Sequence, residues 1–597
     1  MRERNEIELC YRWALEDLYV SDEAWGEDLG KLTALVESVP NYRGRLGESA
    51  ATLLEYLRLN DEMEVLADSL GNYAARKADE DTRVSAGQAL RGKLAALLTK
   101  AGELSDFEAP ELLAIPDETL AAMFAEQPEL EVYRRGLEKL RRRRAHILPP
   151  EGEKLLAAAS ELACVPEETF SLLNDADLTF PPAADSEGKE HPLTHGSFIP
   201  LMQSEDRTLR KNAFENLYGV YGAFRNTLAA TLSGQMKRLW FYAKSRNYKD
   251  PLEKSLSANE VPVSVYDSLI ETVNENMHLM GKYARLRKKL LGVDELRWYD
   301  LYAPLVEDAQ KEIPYEEAVQ TVLQALSPLG EDYAATLKKG FSERWIDVYE
   351  TPGKRSGAYS AGARVHPYVL LNYAGDLDGV FTLAHEMGHA LHSHYSNLHQ
   401  PICKADYVIF VAEVASTCNE ALLMEHLLKT TKEPKQRALL INHFLEQFRA
   451  TLYRQTMFAE FERTVCRMQG AGEPLTPDAL CGVYRELVVR YFGGEIAADD
   501  NIALEWARIP HFYYDFYVYQ YATGYAAAIA LSRRILSGEE GAVEDYLGFL
   551  RGGCSADPIT LLRGAGVDMT SSEPVREALK LFDTLLDEME ELTKEIV

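Results

Sequence analysis

Two histidines lie four residues apart in the stretch FTLAHEMGHALHSHYS, residues 381–396, and a glutamate directly follows the first of them. On an α-helix, positions four apart share one face at about 5 to 6 Å, so His385 and His389 can each direct a ring nitrogen at a single ion. Zinc binds such nitrogens at about 2.0 to 2.1 Å. Glu386 lies a residue further round, where it could act as general base on a water at the metal. The alternative is an apolar helix that carries imidazoles by accident.

The helix that must present these residues can be delimited from the sequence. The turn AGDLDG supplies Asp376 or Asp378 as an N-cap, and residues 380–396 then contain no proline. Gly388, inside this helix, costs about 1 kcal/mol relative to alanine. A close approach of another backbone segment would explain this glycine, so we expect one here.

A catalytic zinc site needs three protein ligands and an open fourth position. Residues 406–428, DYVIFVAEVASTCNEALLMEHLL, are strongly apolar, yet Glu413 lies in their middle. A buried carboxylate without a partner is costly, whereas a bound dication would compensate its charge, so Glu413 is the predicted third ligand. A salt-bridged structural acid is the alternative. Glu420 falls on the same face seven residues later, where a hydrogen bond to a ligand histidine could fix its tautomer.

Most of the remaining chain carries apolar residues at helical spacing, as in residues 51–70 and 89–104, so the predicted fold class is mainly α. Two segments depart from this pattern. Residues 178–198 contain an Asp-Ser-Glu-Gly turn between short apolar pieces, which predicts a hairpin. Residues 345–373 are rich in β-branched and aromatic residues with interspersed glycine, which predicts strands and loops directly before the histidine-bearing helix.

Composition excludes several classes of partner. The chain of 597 residues has 64 Lys plus Arg against 94 Asp plus Glu, a net charge of -30, which repels phosphate backbones and anionic lipid heads. We therefore expect no nucleic-acid and no membrane partner. The sequence has no export signal and no run of about 18 apolar residues, which predicts a cytoplasmic protein. Its seven cysteines form no CxxC pair and suit reduced thiols.

The motif HEMGHALHSH and the later segment FVAEVASTCNEALL, with 23 residues between His389 and Glu413, resemble the thimet oligopeptidase superfamily of zinc peptidases. The segments GAYSAGARVHPYVLLNY and WALEDLYVSDEAW are similar to its oligoendopeptidase F branch, so the resemblance covers nearly the whole chain. It implies an elongated, two-lobed helical molecule with a deep central channel, one Zn2+ per chain, and a small β-sheet next to the zinc-binding helix. It also implies oligopeptide substrates and exclusion of folded proteins.

The resemblance further implies a role for the stretch IPHFYYDFYVYQYATGYAAAIALS, whose density of tyrosines is unusual for a plain core because each buried phenol needs a hydrogen-bond partner. In the family, one histidine and two tyrosines seven apart stabilise the charge that develops on the carbonyl oxygen. We carry this role onto His511, Tyr514 and Tyr521. Tyr517 or Tyr525 could replace one of these tyrosines or contact the substrate. An aromatic helix that only packs the channel wall is the alternative.

An extended peptide needs partners for its own backbone groups, and a strand at the edge of a sheet can supply them. We expect residues 367–373 to form such an edge strand, with Tyr368 and Leu370 contacting the peptide. Tyr359 and the glycine-rich loop around Gly357 would contact or cover the substrate. The alternative is a strand that only packs under the zinc-binding helix.

The predicted function is a zinc-dependent endopeptidase that hydrolyses internal bonds of short oligopeptides. A carboxypeptidase or dipeptidyl carboxypeptidase on a related scaffold, and a catalytically silent peptide-binding protein, are the alternatives. We expect an N-terminal helical lobe with a small hairpin region, residues 1–200, and a catalytic lobe, residues 201–597. A last helix at residues 575–597 would close the fold, and a homo-oligomer is left open.

Overall fold

The computed structural model describes residues 2–306 and 312–596. Within these two ranges the chain forms twenty-five α-helices and seven short strands, which confirms the predicted mainly α fold class. Both windows chosen for their helical spacing, residues 51–70 and 89–104, lie inside helices, and all seven cysteines are free thiols. No helix in the described part of the chain is both long enough and apolar enough to cross a lipid bilayer.

The first thirteen helices follow one another along the N-terminal half of the chain. They are α1 (Asp22–Ser38), α2 (Ala50–Glu80), α3 (Ser85–Leu104), α4 (Glu108–Ala114), α5 (Asp117–Glu126), α6 (Arg134–Arg142), α7 (Pro150–Leu172), α8 (His195–Met202), α9 (Arg207–Ala223), α10 (Arg225–Ser245), α11 (Pro251–Ala258), α12 (Val263–Glu275) and α13 (Met277–Leu290).

The remaining twelve helices include the predicted histidine-bearing helix, which is α16, and the predicted last helix, which is α25. Position 597 of that last helix lies outside the described residues. The helices are α14 (Tyr315–Ala325), α15 (Gly330–Ser342), α16 (Leu377–His399), α17 (Ile402–Ala405), α18 (Ile409–Thr430), α19 (Pro434–Gln447), α20 (Arg454–Ala471), α21 (Pro477–Tyr491), α22 (Tyr519–Leu536), α23 (Ala542–Leu550), α24 (Pro558–Gly564) and α25 (Glu573–Ile596).

The strands form three small sheets. They are β1 (Ala183–Ala184), β2 (Glu190–His191), β3 (Leu296–Arg297), β4 (Ile346–Asp347), β5 (Tyr359–Ala361), β6 (Tyr368–Leu370) and β7 (Ile496–Ala497). Strands β1 and β2 pair antiparallel around the Asp-Ser-Glu-Gly turn, which confirms the predicted hairpin. Strand β3 pairs in parallel with β7. The third sheet has the order β4-β6-β5, with β6 parallel to β4 and antiparallel to β5.

Helix α16 packs against β5 and β6, so the small sheet next to the histidine-bearing helix is confirmed. Tyr368 and Leu370 of β6 belong to an apolar cluster that also contains Trp13 and Ala363. The N-terminal segment of the chain therefore supports the sheet.

Contacts within the chain define two compact units, each assembled from three segments. Unit 1 combines Met1–Ala145, Gln310–His426 and Leu531–Val567. Unit 2 combines His146–Ala309, Leu427–Ala530 and Asp568–Val597. The predicted lobe boundary at residue 200, the elongated shape and the central channel stay predictions.

A buried charge cluster anchors β4 in unit 1. The Asp347 carboxylate lies 2.8 Å from Lys354 Nζ and 2.6 Å from Arg4 Nη2, and its side chain is only 3% exposed. Burial alone would raise the pKa of Asp347, but the charge of Lys354 and the hydrogen bond from Arg4 lower it below its ordinary value. The ionised carboxylate therefore joins the N-terminal segment to the sheet.

Replacing Asp347 with Asn should destabilise the protein in a pH-dependent way. Because the folded-state pKa of Asp347 lies below the unfolded one, its ionised form stabilises the fold above about pH 4, and this contribution is lost as pH falls further. Urea unfolding at neutral pH should show a loss of about 3–5 kcal/mol, since the buried Lys354 loses its carboxylate partner and Arg4 keeps only Glu80. The difference in unfolding free energy between Asp347→Asn and wild type should become smaller below about pH 4.

The exposed acid Asp106, which pairs with Arg43 at the surface, provides a control. Asp106→Asn should change the unfolding free energy by no more than about 1 kcal/mol at either pH. If the difference in unfolding free energy between Asp347→Asn and wild type stays constant or grows on acidification, the proposed role of the ionised Asp347 carboxylate is wrong.

Candidate functional site

Helix α16 begins at the predicted turn. Asp376 is the N-cap, since its side chain accepts a hydrogen bond from the Gly379 backbone N–H at 2.7 Å. The helix then runs without a break through His385 and His389, whose Nε2 atoms lie 3.1 Å apart. The two imidazoles therefore converge on one point, as the spacing predicts.

At Gly388, helix α16 lies directly against the backbone of α18. A Cβ atom here would lie 2.5 Å from the Cα of Ser416 and 2.8 Å from the carbonyl oxygen of Ala415. These are backbone atoms, which no side-chain rotation can move away, so the predicted close approach is confirmed. The side-chain amide of Asn419 adds a hydrogen bond to the Ala384 carbonyl oxygen at 3.0 Å.

This packing brings three ligand atoms together. Glu413 Oε2 lies 3.4 Å from His385 Nε2 and 3.5 Å from His389 Nε2. Ligand atoms on a tetrahedral ion with bonds of about 2.0 to 2.1 Å are about 3.3 Å apart, so the donors and their spacing suit one zinc ion. Within the described ranges, this is the one group of three His, Cys, Asp or Glu side chains arranged to hold a metal.

Hydrogen bonds fix the charge state of the group. Burial alone would raise the pKa of Glu413, but hydrogen bonds from His385 and His389 lower it well below its ordinary value. The second ring nitrogen of His385, Nδ1, contacts Glu420 Oε1, which directs Nε2 toward Glu413. Burial would lower the pKa of His385, but its hydrogen bonds to Glu413 and Glu420 raise it to about 10. A metal ion must therefore displace a proton from this imidazole.

Glu386 lies next to these ligands and is only 7% exposed. Burial raises the pKa of Glu386, and the charges of His385 and His389 oppose that rise. Its Oε2 atom is buried and has no hydrogen-bond partner among the described residues. A buried oxygen without a partner is costly, and a catalytic role is one of the explanations for such an atom.

The clustered tyrosines lie in unit 2, in and after a 3-10 turn that contains His511. Tyr521 Oη lies 3.4 Å from His511 Nε2, and the rings of Tyr514 and Tyr517 have their centroids 5.6 and 6.2 Å from the imidazole. Burial and the charge of Arg454 lower the pKa of His511, so its imidazole is neutral at neutral pH. The structure thus gathers one histidine and three phenols.

The remaining candidate, Tyr525, has a different environment. It is only 4% exposed, and its ring packs edge-on against Phe448 with centroids 5.1 Å apart. Tyr514, in contrast, is 46% exposed. Burial leaves Tyr525 less available to a substrate than the tyrosines around His511.

A strained turn connects His511 to helix α22. Asp515 and Phe516 adopt consecutive left-handed conformations, with φ of 51° and 62°, which cost about 1–2 kcal/mol each for residues other than glycine. Glu462 accepts a hydrogen bond from the Phe516 N–H at 2.8 Å. The side-chain amide of Gln235 donates to the Asp515 carboxylate at 3.1 Å. Such strain persists only where the surroundings hold it, and it often marks functional sites.

Sequence reasoning missed Glu462. This acid is buried in α20 between Phe461 and Val465, and burial raises its pKa well above the ordinary value. The signal that identified Glu413, an acid inside an apolar segment, was weaker here, because Glu460 and Arg463 lie close to Glu462 in the sequence. Glu462 accepts a hydrogen bond from the turn at Phe516, which is distant in the sequence, so the residues around Glu462 do not indicate this role.

The prediction of an edge strand at residues 367–373 is wrong. Strand β6 is the middle strand of its sheet, and its Val369 N–H donates to the Trp345 carbonyl oxygen at 2.8 Å. Tyr368 and Leu370 are fully buried, and the Tyr368 hydroxyl donates to the Ala14 carbonyl oxygen. Pairing on both sides leaves β6 no free backbone groups for a peptide, so neither residue contacts a substrate in this way.

With β4 at the opposite edge, strand β5 forms one edge of this sheet. Its first residue, Tyr359, is half-buried and donates a hydrogen bond to Asp79 Oδ2 at 2.7 Å. The preceding loop is tied down by Asn372, whose amide donates to the carbonyl oxygen of Gly357 at 2.7 Å. Gly357 has a φ of 81°, which favours glycine. Both residues therefore lie in or next to an edge strand of the sheet.

Comparisons with known proteins agree with this geometry. A family model described as "Peptidase family M3" matches residues 200–581, and one described as "Oligopeptidase F" matches residues 111–180. The chain is 47% identical to "Oligopeptidase PepF" of Bacillus subtilis (strain 168), over 100% of this chain and 89% of the relative. It is 40% identical to "Group B oligopeptidase PepB" of Streptococcus agalactiae, over 99% of this chain and 98% of the relative.

A solved structure is similar along the same length. The crystal structure of oligoendopeptidase-F from Enterococcus faecium superposes with a TM-score of 0.75 at 38% identity. The match covers 96% of this chain and 99% of that one.

Replacing Gly388 with Ala should weaken both folding and zinc binding. The added methyl group would meet the α18 backbone and force the two ligand-bearing helices apart. Overpacking of this kind costs about 1–3 kcal/mol. Over most of that range, the cost is larger than the gain of about 1 kcal/mol in helix propensity that alanine brings. Chemical unfolding and zinc titration against a chelator measure the two effects.

Gly26 in α1 provides a matched control, because a Cβ atom there would meet nothing within 4 Å. Gly26→Ala should keep zinc affinity and stabilise the fold by about 0.5–1 kcal/mol. Equal stability and equal zinc affinity of the two variants would refute the role of Gly388.

Proposed function

The chain belongs to peptidase family M3, and from this premise we propose that it hydrolyses internal bonds of oligopeptides with one bound zinc ion. Peptidase activity on oligopeptides follows from the family, whereas zinc dependence and internal cleavage are our proposal. The observation that carries it is the triangle of ligand atoms from His385, His389 and Glu413. The net charge of -30 further supports a peptide partner over a nucleic acid or a membrane.

In this proposal, His385, His389 and Glu413 hold the ion, and Glu420 orients His385. A zinc ion held there would polarise the scissile carbonyl group and make an attacking water more acidic. Glu386, with its unsatisfied buried oxygen, accepts the proton of the attacking water. It then delivers that proton to the departing amine.

The cluster around His511 supplies neutral hydrogen-bond donors for the tetrahedral oxyanion. We assign this role to His511, Tyr514 and Tyr521, with Tyr517 as the alternative because its ring also lies beside the imidazole. The contact between Tyr521 Oη and His511 Nε2 holds these two groups beside each other.

The substrate backbone pairs with the open edge of β5. This assignment replaces β6 and keeps Tyr359 and Gly357 as contacts. An added strand satisfies the peptide backbone without reading its side chains, which suits an enzyme that accepts varied oligopeptides.

Replacing Glu386 with Gln should abolish peptide cleavage while the protein keeps its zinc. Loss of a general base lowers the rate by about 10²–10⁴-fold, whereas the ligand set is unchanged. A quenched fluorogenic peptide reports the rate, and elemental analysis reports the metal.

Glu343, an exposed acid in the same unit, offers the control. Glu343→Gln should cleave at the wild-type rate. Wild-type turnover by Glu386→Gln would remove the proposed base, and a pure wild-type protein that binds zinc and peptide without turnover would point to a silent binding protein.

Internal cleavage can be separated from removal of C-terminal residues by mapping products. Mass spectrometry of digests of peptides of increasing length should show cuts away from both ends, and cleavage should persist when the C-terminus is amidated. Release of single residues or dipeptides from free C-termini alone would identify a carboxypeptidase or dipeptidyl carboxypeptidase instead.

A further inference from the structure

A second group of charged side chains lies in unit 2, outside the residues assigned so far. It contains four arginines and two glutamates whose side chains are 0–26% exposed. They are Arg287, Arg449, Arg454, Arg508, Glu446 and Glu505.

Each glutamate forms ion pairs with two arginines. Glu446 lies 3.0 Å from Arg287 and 2.8 Å from Arg449. Glu505 lies 2.5 Å from Arg454 and 3.5 Å from Arg508. Among the described residues no other carboxylate pairs with these four guanidinium groups, so in this part of the chain four positive charges face two negative ones.

Neutral partners accept further hydrogen bonds here but carry no negative charge. Arg508 donates to the Tyr218 hydroxyl at 3.1 Å, and Arg287 donates to the Asp300 carbonyl oxygen at 3.1 Å. Arg449 Nη1 and Arg454 Nε are buried and donate no hydrogen bond to any described residue. A buried, uncompensated charge costs several kcal/mol, so an anion that enters this place would be bound favourably.

Aromatic rings limit the access of water to the group. The guanidinium carbon of Arg449 lies 4.9 Å from the centre of the Tyr302 ring, and that of Arg454 lies 4.5 Å from the centre of the Phe458 ring. Low local polarity strengthens the attraction between a guanidinium and an anion.

Access differs between the two pairs. Arg454 and Arg508 have side-chain exposures of 16% and 17%, whereas Arg287 and Arg449 have 1% and 4%. Arg508 precedes His511 by three residues, and the charge of Arg454 acts on that imidazole. The reachable part of the group therefore borders the tyrosine cluster.

We propose that Arg454 and Arg508 form a subsite for a carboxylate of the peptide substrate, either its C-terminus or an acidic side chain. Arginine suits this role because its planar fork can donate two parallel hydrogen bonds to one carboxylate. The subsite rests on the proposed peptidase function and adds to it a preference for anionic substrates.

The test compares peptide pairs that differ in one charge. One pair differs by a free acid or an amide at the C-terminus, and the other by Glu or Gln at one internal position. For the zinc-loaded wild-type enzyme, at least one acidic member should have a kcat/KM about tenfold or more above that of its neutral partner, mainly through KM. Mass spectrometry must show the same cleaved bond in both members.

The variant Arg508→Gln should reduce this preference ratio toward one. Arg485→Gln, at an exposed ion pair in the same unit, should keep it. If Arg508→Gln does not fold, the comparison of the two peptide pairs with the wild-type enzyme still tests the subsite.

Equal kcat/KM values within both pairs, with cleavage intact, would overturn the subsite and leave the proposed function standing. An equal loss of preference in Arg485→Gln would also overturn it, because the effect would then be a long-range field. Absence of cleavage of every peptide would instead refute the proposed function.

Discussion

The candidate metal centre depends on how closely helices α16 and α18 pack at Gly388. Two of the three ligands lie on one helix and the third on the other, so the distance between the helices sets the size of the ligand triangle. With no side chain at Gly388, the Ser416 backbone can approach far enough for Glu413 to reach both imidazoles. A single glycine thereby couples helix packing to metal chemistry.

Three acids of the chain, Glu413, Glu386 and Glu462, have different surroundings and therefore different chemistry. Glu413 is surrounded by imidazoles and stays ionised, which suits a ligand, while Glu386 keeps an unsatisfied oxygen and a raised pKa, which suits a base. Glu462 is buried, pairs with no cation in the described part of the chain, and holds the backbone of a strained turn through a hydrogen bond. The local surroundings of each carboxyl group, more than its position in the sequence, determine its chemistry.

The same contrast explains which features could be predicted from the sequence. Local patterns identified α16, its N-cap, the glycine at position 388 and the acid at position 413, because a glycine inside a helix and an acid inside an apolar segment are both visible from neighbours within a few residues. The order of the sheet could not be predicted, since β6 pairs with β4 from a segment about twenty residues earlier. The arginine-rich cluster could not be predicted either, because Arg454 and Glu505 are distant in the sequence and meet only in the folded chain.

The central claim is that one zinc ion is bound jointly by two imidazoles of α16 and the Glu413 carboxylate of α18. X-ray absorption at the zinc edge measures this directly on protein loaded with one equivalent of zinc. We expect two imidazole nitrogens and oxygen ligands at about 2.0 to 2.2 Å, with loss of one carboxylate oxygen in Glu413→Ala. A zinc shell without imidazole, or one that Glu413→Ala leaves unchanged, would contradict the account.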